Sequence, residues 1–182
     1  MVLSSIIKDF DAKGLKYIAT SLSFRNINEG PENVFSNGTS KYFVSQSSPS
    51  DQWWQVEFEN PVPIGSYVIQ SQKSFTSHVP TKWIINISND GNSWKTVQET
   101  GKSSTEDTEP CVLPKTVNCK FFQIVLKENA QNNDNIFVMQ YFDCFGEIAN
   151  IYKNKLRSCM NQNRKYRMTY NFVMLVGSLL LN

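Results

Sequence analysis

The sequence predicts an all-β protein, an antiparallel sandwich of short strands. Between residues 15 and 147, apolar and polar residues alternate with period two in one segment after another. Clusters of Gly, Pro, Asn and Asp separate these segments at roughly ten-residue intervals, the spacing of sandwich strands. Helical periodicity is weak except over residues 3–10, where Leu3, Ile6, Ile7 and Phe10 share one face. A short helix is therefore expected in a lead-in of residues 1–14, ahead of the sandwich at 15–147.

The strands follow in order. Trp53 to Phe58 places Trp54, Val56 and Phe58 on one face and Trp53 on the other. Pro61 and Pro63 then interrupt, and Ser66 to Ser71 forms a second strand with Tyr67 and Ile69 facing together. Trp83, Ile85 and Ile87 point inward, and Asn89-Asp90-Gly91-Asn92 supplies the positive φ that a tight hairpin needs. Trp94 and Val97 begin the return strand, with Trp94 expected in the core beside Trp54 and Trp83. Residues 99–110 and 128–135 are polar loops. Phe122, Ile124 and Leu126 mark another strand. A long last strand runs from Phe137 to Phe145, with Phe137, Met139, Tyr141 and Phe145 on one face. Residues 20–52 form the longest stretch without alternation, and long ordered loops in a compact domain are usually functional.

Composition narrows the function. The 182 residues are 40% apolar and 19% charged, with 12 Phe, 7 Tyr and 4 Trp, enough to bury a core. No apolar run reaches the roughly 17–25 residues of a membrane-spanning helix. The net charge of +2 divides unevenly. Residues 1–148 carry 12 Lys/Arg against 16 Asp/Glu, and residues 149–182 carry six Lys/Arg and no acid. The domain is therefore mildly acidic, which argues against nucleic acid as a partner. In the tail, two basic clusters (Lys153, Lys155, Arg157; Arg164, Lys165, Arg167) precede the apolar Phe172–Leu181. That order, in a tail of residues 148–182 expected to be helical or disordered, suits a docking helix, the truncated start of a further segment, a disordered end or contact with an anionic membrane surface.

Cys111, Cys119, Cys144 and Cys159 lack metal-site spacing, and none lies early enough to staple the first 110 residues. Buried free thiols are expected, and with no basic leader before Ile6 the expected location is the cytoplasm. His78 is the sole histidine, which removes multi-histidine metal sites and two-imidazole relays. Asp11, Asp107, Asp134 and Asp143 show no EF-hand spacing, so no metal or cofactor is expected. No paired carboxylates or nucleophile–base set stands out, so no catalytic residue is assigned and the protein is expected not to be an enzyme.

The order of segments resembles a known family. Asp51-Gln-Trp-Trp-Gln-Val-Glu-Phe, Tyr67-Val-Ile-Gln-Ser and His78-Val-Pro-Thr-Lys-Trp83 come first. Ser88-Asn-Asp-Gly-Asn-Ser-Trp94, Phe121-Phe-Gln-Ile-Val-Leu and Met139-Gln-Tyr-Phe-Asp-Cys-Phe-Gly146 follow. This series resembles the coagulation factor V/VIII type C, or discoidin, domain of the galactose-binding-like fold. The nearest likeness is to cytoplasmic protist members often linked to BTB domains. The resemblance covers residues 15–147 and implies an eight-stranded antiparallel jelly-roll sandwich that binds ligands through loops at one end. Secreted members usually carry a disulfide joining the two ends of the domain, and this chain departs from that because no Cys precedes Cys111.

On this resemblance, the candidate ligand-binding residues are Arg25, Asn33, Lys41, Phe43, Lys73, Phe75 and His78, on loops near 22–48, 72–80 and 128–135. Planar polar groups beside an aromatic face suit a sugar. Lys and Arg beside apolar tips suit a lipid head. An aromatic anchor suits a peptide. His78 reads either as a hydrogen-bonding group toward such a ligand or as a brace for its own loop. Trp53 reads as outward-facing, covering its sheet or stacking on a ligand. The expected function is a non-catalytic module recognising carbohydrate. The alternative is an intracellular adaptor that holds a protein or peptide through the same loops.

Overall fold

A computed structural model describes residues 4–35, 40–48, 50–101, 109–131 and 134–146. The expectations for the basic and apolar tail, for Cys159 and for Asp107 lie outside these residues. Among the described residues the fold is an antiparallel β-sandwich with one short α-helix. Its strands are β1 (Ser4–Ser5), β2 (Tyr17–Ser21), β3 (Phe43–Val44), β4 (Trp53–Gln70), β5 (Pro80–Ser88), β6 (Lys95–Thr100), β7 (Cys111–Asn129), β8 (Val138–Met139) and β9 (Tyr141–Gly146). The helix α1 spans Ile6–Ala12, where the 3.6-residue pattern predicts it. The Ser5 hydroxyl caps it by accepting from the Lys8 amide, and Ile6, Ile7 and Phe10 are buried.

Two long strands organise the sandwich. β4 pairs with β2, β7 and β9; β7 also pairs with β5, and β5 with β6. Trp53–Phe58 and Ser66–Gln70, read from the sequence as two strands, belong to one. The register to β7 shifts between Glu57 and Val62 and again between Ile64 and Ser66. Pro61 falls within the first irregularity, where a missing N–H costs the ladder little, while Pro63 keeps register opposite Asn118 between the two. The strand therefore bends instead of ending. Its first part pairs with β2 and its last part with β9, so β4 contributes to both layers.

The core lies where the layers meet. Trp54 packs against Phe142 with ring centroids 4.7 Å apart, and Phe122 meets both Tyr67 and Phe142. The Trp54 indole donates to the Pro31 carbonyl at 2.9 Å, tying the long loop to the centre. Trp83 is buried and donates to Tyr67 Oη at 3.0 Å. The Tyr67 hydroxyl in turn reaches Gln98, so the buried polar atoms are satisfied in sequence.

Three further sequence expectations change. Trp94 is 36% exposed, not core; it packs edge-on to Phe121 beside the Gly91 turn. Its strand begins at Lys95, so Trp94 belongs to the turn and alternation does not decide its side. Phe137–Phe145 is not one strand, because β8 ends at Met139 and β9 begins at Tyr141. The buried set passes from Phe137 and Met139 to Phe142 and Cys144, leaving Tyr141 and Phe145 half-buried. Third, Phe43 is 0% exposed and stacks edge-on to Phe137, which removes it from the candidate ligand surface.

Cys119 and Cys144 are buried free thiols. Burial pushes the Cys119 thiol up to about 12 and Cys144 upward as well, so both remain protonated packing groups.

Candidate functional site

The strands bring three loops together at one end. The Arg25 amide donates to Val44 O at 2.8 Å, folding the first loop on itself. The Ala130 amide donates to Val79 O and the Gln131 amide to Ser77 O, joining the loop after β7 to the loop before β5. The Ser47 hydroxyl and Ser48 amide reach Asp134 O, closing the ring between the first and third loops.

Side chains gather around Phe75, which is half-buried just before the short 3-10 turn Thr76–His78. The Arg25 guanidinium lies 5.7 Å from its ring centroid, within cation–π range. The Tyr42 ring lies 5.3 Å away and the His78 imidazole 6.3 Å away. Arg25 is held from behind. Its Nε donates to Glu29 at 2.6 Å, its Nη2 completes a second bond to the same carboxylate, and Asn26 donates a third at 2.6 Å. The Glu29 partnership raises the affinity of the guanidinium for its proton. Glu29 is buried, yet the Arg25 side chain remains 46% exposed and presents its outer edge.

His78 is also held. Its Nε2 lies 3.0 Å from Asp134 Oδ2 and its Nδ1 lies 2.9 Å from Ser77 Oγ. With Nε2–H donated to the carboxylate, the neutral ring accepts from the serine hydroxyl through Nδ1. Both ring nitrogens thus have protein partners, which fits the bracing reading. Asp134 is fixed through its other oxygen by Asn129 Nδ2 at 2.9 Å and the Ile136 amide at 3.1 Å. Burial would raise its pKa, but the Asn129, Ile136 and His78 bonds outweigh that and lower it.

The other candidates divide. Asn33 is buried, and its amide donates to Asn28 O at 2.7 Å and Tyr42 O at 3.1 Å, so it shapes the loop from inside. Lys41 is exposed at the edge of a cavity of about 480 Å³. Lys73 is exposed in the turn after β4. Sequence reading missed Glu29, Tyr42, Ser77 and Asn129, and weighed Asp134 only as a calcium ligand. The i,i+4 spacing of Arg25 and Glu29 was the one available signal. Among the described residues no three His, Cys, Asp or Glu side chains gather to hold a metal.

A model of the F5/8 type C domain matches residues 18–139. The chain belongs to this family. No curated protein matches it significantly. Among solved structures, the family 32 carbohydrate-binding module of NanJ from Clostridium perfringens, solved with galactose, aligns with a TM-score of 0.66 at 11% identity. The alignment covers 80% of this chain and 100% of that one. A second Clostridium perfringens module, solved with GalNAc-β-1,3-galactose, aligns with a TM-score of 0.64 at 13% identity, over 79% and 100% of the two chains. An F5/8 type C domain from Bacteroides fragilis aligns at 0.65 and 12% identity, over 80% and 97%. At these identities the likeness is one of fold, and it agrees with the galactose-binding-like sandwich expected from the sequence.

Proposed function

We propose that this F5/8 type C domain is a non-catalytic carbohydrate-recognition module whose ligand lies on the Phe75 face at the loop end of the sandwich. The observation that carries the reading is the convergence of Arg25, Tyr42 and His78 on one half-buried aromatic ring. A sugar offers C–H groups to an aromatic face and hydroxyls to planar donors in the same plane. Phe75 supplies the first and the outer edge of Arg25 the second. Glu29 and Asn26 hold that edge in place before any ligand arrives, which lowers the ordering cost of binding. His78 contributes by bracing the loop of Phe75 through Asp134. The modules of like fold solved with galactose and with GalNAc-β-1,3-galactose make sugars the first ligands to test. Free Cys119 and Cys144 accord with a reducing compartment, so we place the protein in the cytoplasm as part of this reading.

The test is a glycan array followed by calorimetric titration of the strongest hit. Phe75→Ala and Arg25→Ala should each weaken binding at least tenfold; Arg25→Ala also lowers the melting temperature by leaving the buried Glu29 unpaired, so binding is compared well below the transition, where both variants are folded. Absence of any glycan signal, together with a defined protein complex lost in the same variants, would replace this reading with the adaptor one. Ser77, His78 and Asp134 also stand in the order of a nucleophile–base–acid relay. Turnover of esters or glycosides that Ser77→Ala abolishes would overturn the non-catalytic assignment.

A further inference from the structure

Beside the Phe75 face lies the cavity of about 480 Å³, within the size range of small-ligand sites. Nothing assigned so far uses it. Its walls come from two stretches of the first loop, residues 26–33 and 40–42. Two features join it to the Phe75 face. Tyr42 lines the cavity and also packs its ring 5.3 Å from that of Phe75. Glu29 lines it too, and is the carboxylate that holds Arg25 over Phe75. The cavity and the aromatic face are thus neighbouring compartments divided by Tyr42 and the Arg25–Glu29 pair.

The lining has a definite chemistry. Asn26, Asn28 and Asn33 contribute planar amides, Glu29 and Glu32 carboxylates, and Ser40 a hydroxyl. One aromatic, Tyr42, one aliphatic, Ile27, and one ammonium group, Lys41, complete it. Ile27 is 81% exposed at the rim, an apolar edge with no fold-stabilising burial of its own. Carboxylates only accept and amides both donate and accept, so the complementary ligand carries several hydroxyl donors. Glu29 is paired with Arg25 and the Glu32 carboxylate is offset by the Lys41 ammonium, so the lining carries no net charge to draw a charged ligand.

Resting on the carbohydrate reading above, we propose that this cavity is a second sugar subsite continuous with the Phe75 face, so that the ligand is a neutral oligosaccharide of two or more residues and not a single terminal sugar. One residue stacks on Phe75 against Arg25. The next passes Tyr42 and hydrogen-bonds to Asn28 and Glu32, with its apolar edge on Ile27.

Galactose, GalNAc-β-1,3-galactose, N-acetylglucosamine, chitotriose and trigalacturonate are titrated by calorimetry, together with the strongest array hit and its own terminal monosaccharide. In the wild-type protein, at least one neutral oligosaccharide should bind tenfold or more tightly than its terminal monosaccharide, and trigalacturonate more weakly than either. Asn28→Trp fills the cavity from the exposed part of one wall and should remove the oligosaccharide advantage while leaving monosaccharide affinity within twofold. Ser40→Trp fills it from the other lining stretch, residues 40–42, and serves if the first variant misfolds. Phe75→Ala should weaken both ligands. Equal affinity for oligosaccharide and monosaccharide, an advantage that survives cavity filling, or preferential binding of trigalacturonate overturns the second subsite and leaves the first reading standing. Failure of every sugar to bind overturns both.

Discussion

Gly146→Ala tests how the two ends of the domain are locked together. Gly146 closes β9 and pairs with Ser4 of β1. A Cβ there would lie 1.7 Å from the Pro63 carbonyl oxygen and 3.2 Å from Ile6 Cδ1. The first contact is with backbone inside the bend of β4, so no side-chain rotation relieves it. Two routes of accommodation exist. If β9 shifts away from β4, the cost falls at the upper end of the ~1–3 kcal/mol typical of overpacking. If β1 and α1 detach instead, Ile6, Ile7 and Phe10 lose their burial. At roughly 1.5–3 kcal/mol per side chain that loss is large, but the segment regains about 1–2 kcal/mol of conformational freedom per residue. The second route therefore caps the net cost, and we expect a destabilisation of about 2–3 kcal/mol. Urea unfolding followed by tryptophan fluorescence measures it. Hydrogen exchange at the α1 amides identifies the route, since only detachment accelerates it. A variant within about 0.5 kcal/mol of wild type, the range of ordinary surface changes, would refute the close-approach reasoning.

Further outcomes follow from the same contacts. Gly14→Ala meets nothing within 4 Å but holds φ at +62°, so its cost should be about 1 kcal/mol from conformation alone, measured in the same urea assay. Trp54→Phe removes the donor to Pro31 O and part of a fully buried ring. It should cost about 2–4 kcal/mol, from an unsatisfied buried acceptor and lost apolar area, and a loss below 1 kcal/mol would count against that bond. Asp143 is buried, and burial raises its pKa despite bonds from Ser5, Tyr141 and the Cys144 amide. Folding thus favours its protonated form, and stability from this group is lost as pH rises from the unfolded carboxylate value through the raised one. The difference between Asp143→Asn and wild type in urea melts should therefore move in favour of the variant between pH 4 and 7; a pH-independent difference would contradict it. Asp134 carries the opposite sign. Its lowered pKa gives stability above the unfolded value that is lost as pH falls below about 4, so Asp134→Asn should flatten the acid limb of the stability profile.

The core was legible in the sequence wherever a side chain's direction follows from strand alternation. Trp54, Val56, Phe58, Trp83, Ile85, Phe122 and Ile124 face inward as period two requires, while Ile69 and Ile87, expected on the same faces, are only half-buried toward their strand ends. Legibility failed where the backbone leaves that period. Trp94 lies in a turn, the buried face changes at Gln140, and the Pro61–Pro63 segment bends a strand that continues. The loops show the same limit more sharply. Phe43 and Phe75 are both aromatics on non-alternating stretches, and only the β3–β8 pairing buries the first and leaves the second half-open. The polar partners were hidden because they are distant in sequence. His78 and Asp134 are 56 residues apart, and composition says nothing of their meeting.

Asn129 offers a way to change recognition without touching the Phe75 face. It is buried at the end of β7 and donates to both Asp134 Oδ1 and Ile136 O. Its chain of influence runs through Asp134 to His78 and so to the turn that carries Phe75. A substitution there leaves every group on the Phe75 face present and unaltered, yet lets the loop sample other positions. Affinity then falls by the fraction of time the loop spends misplaced, not by the loss of a contact. On the proposed carbohydrate reading, sequence variation at this buried amide would adjust binding strength while leaving the preference among sugars as it was.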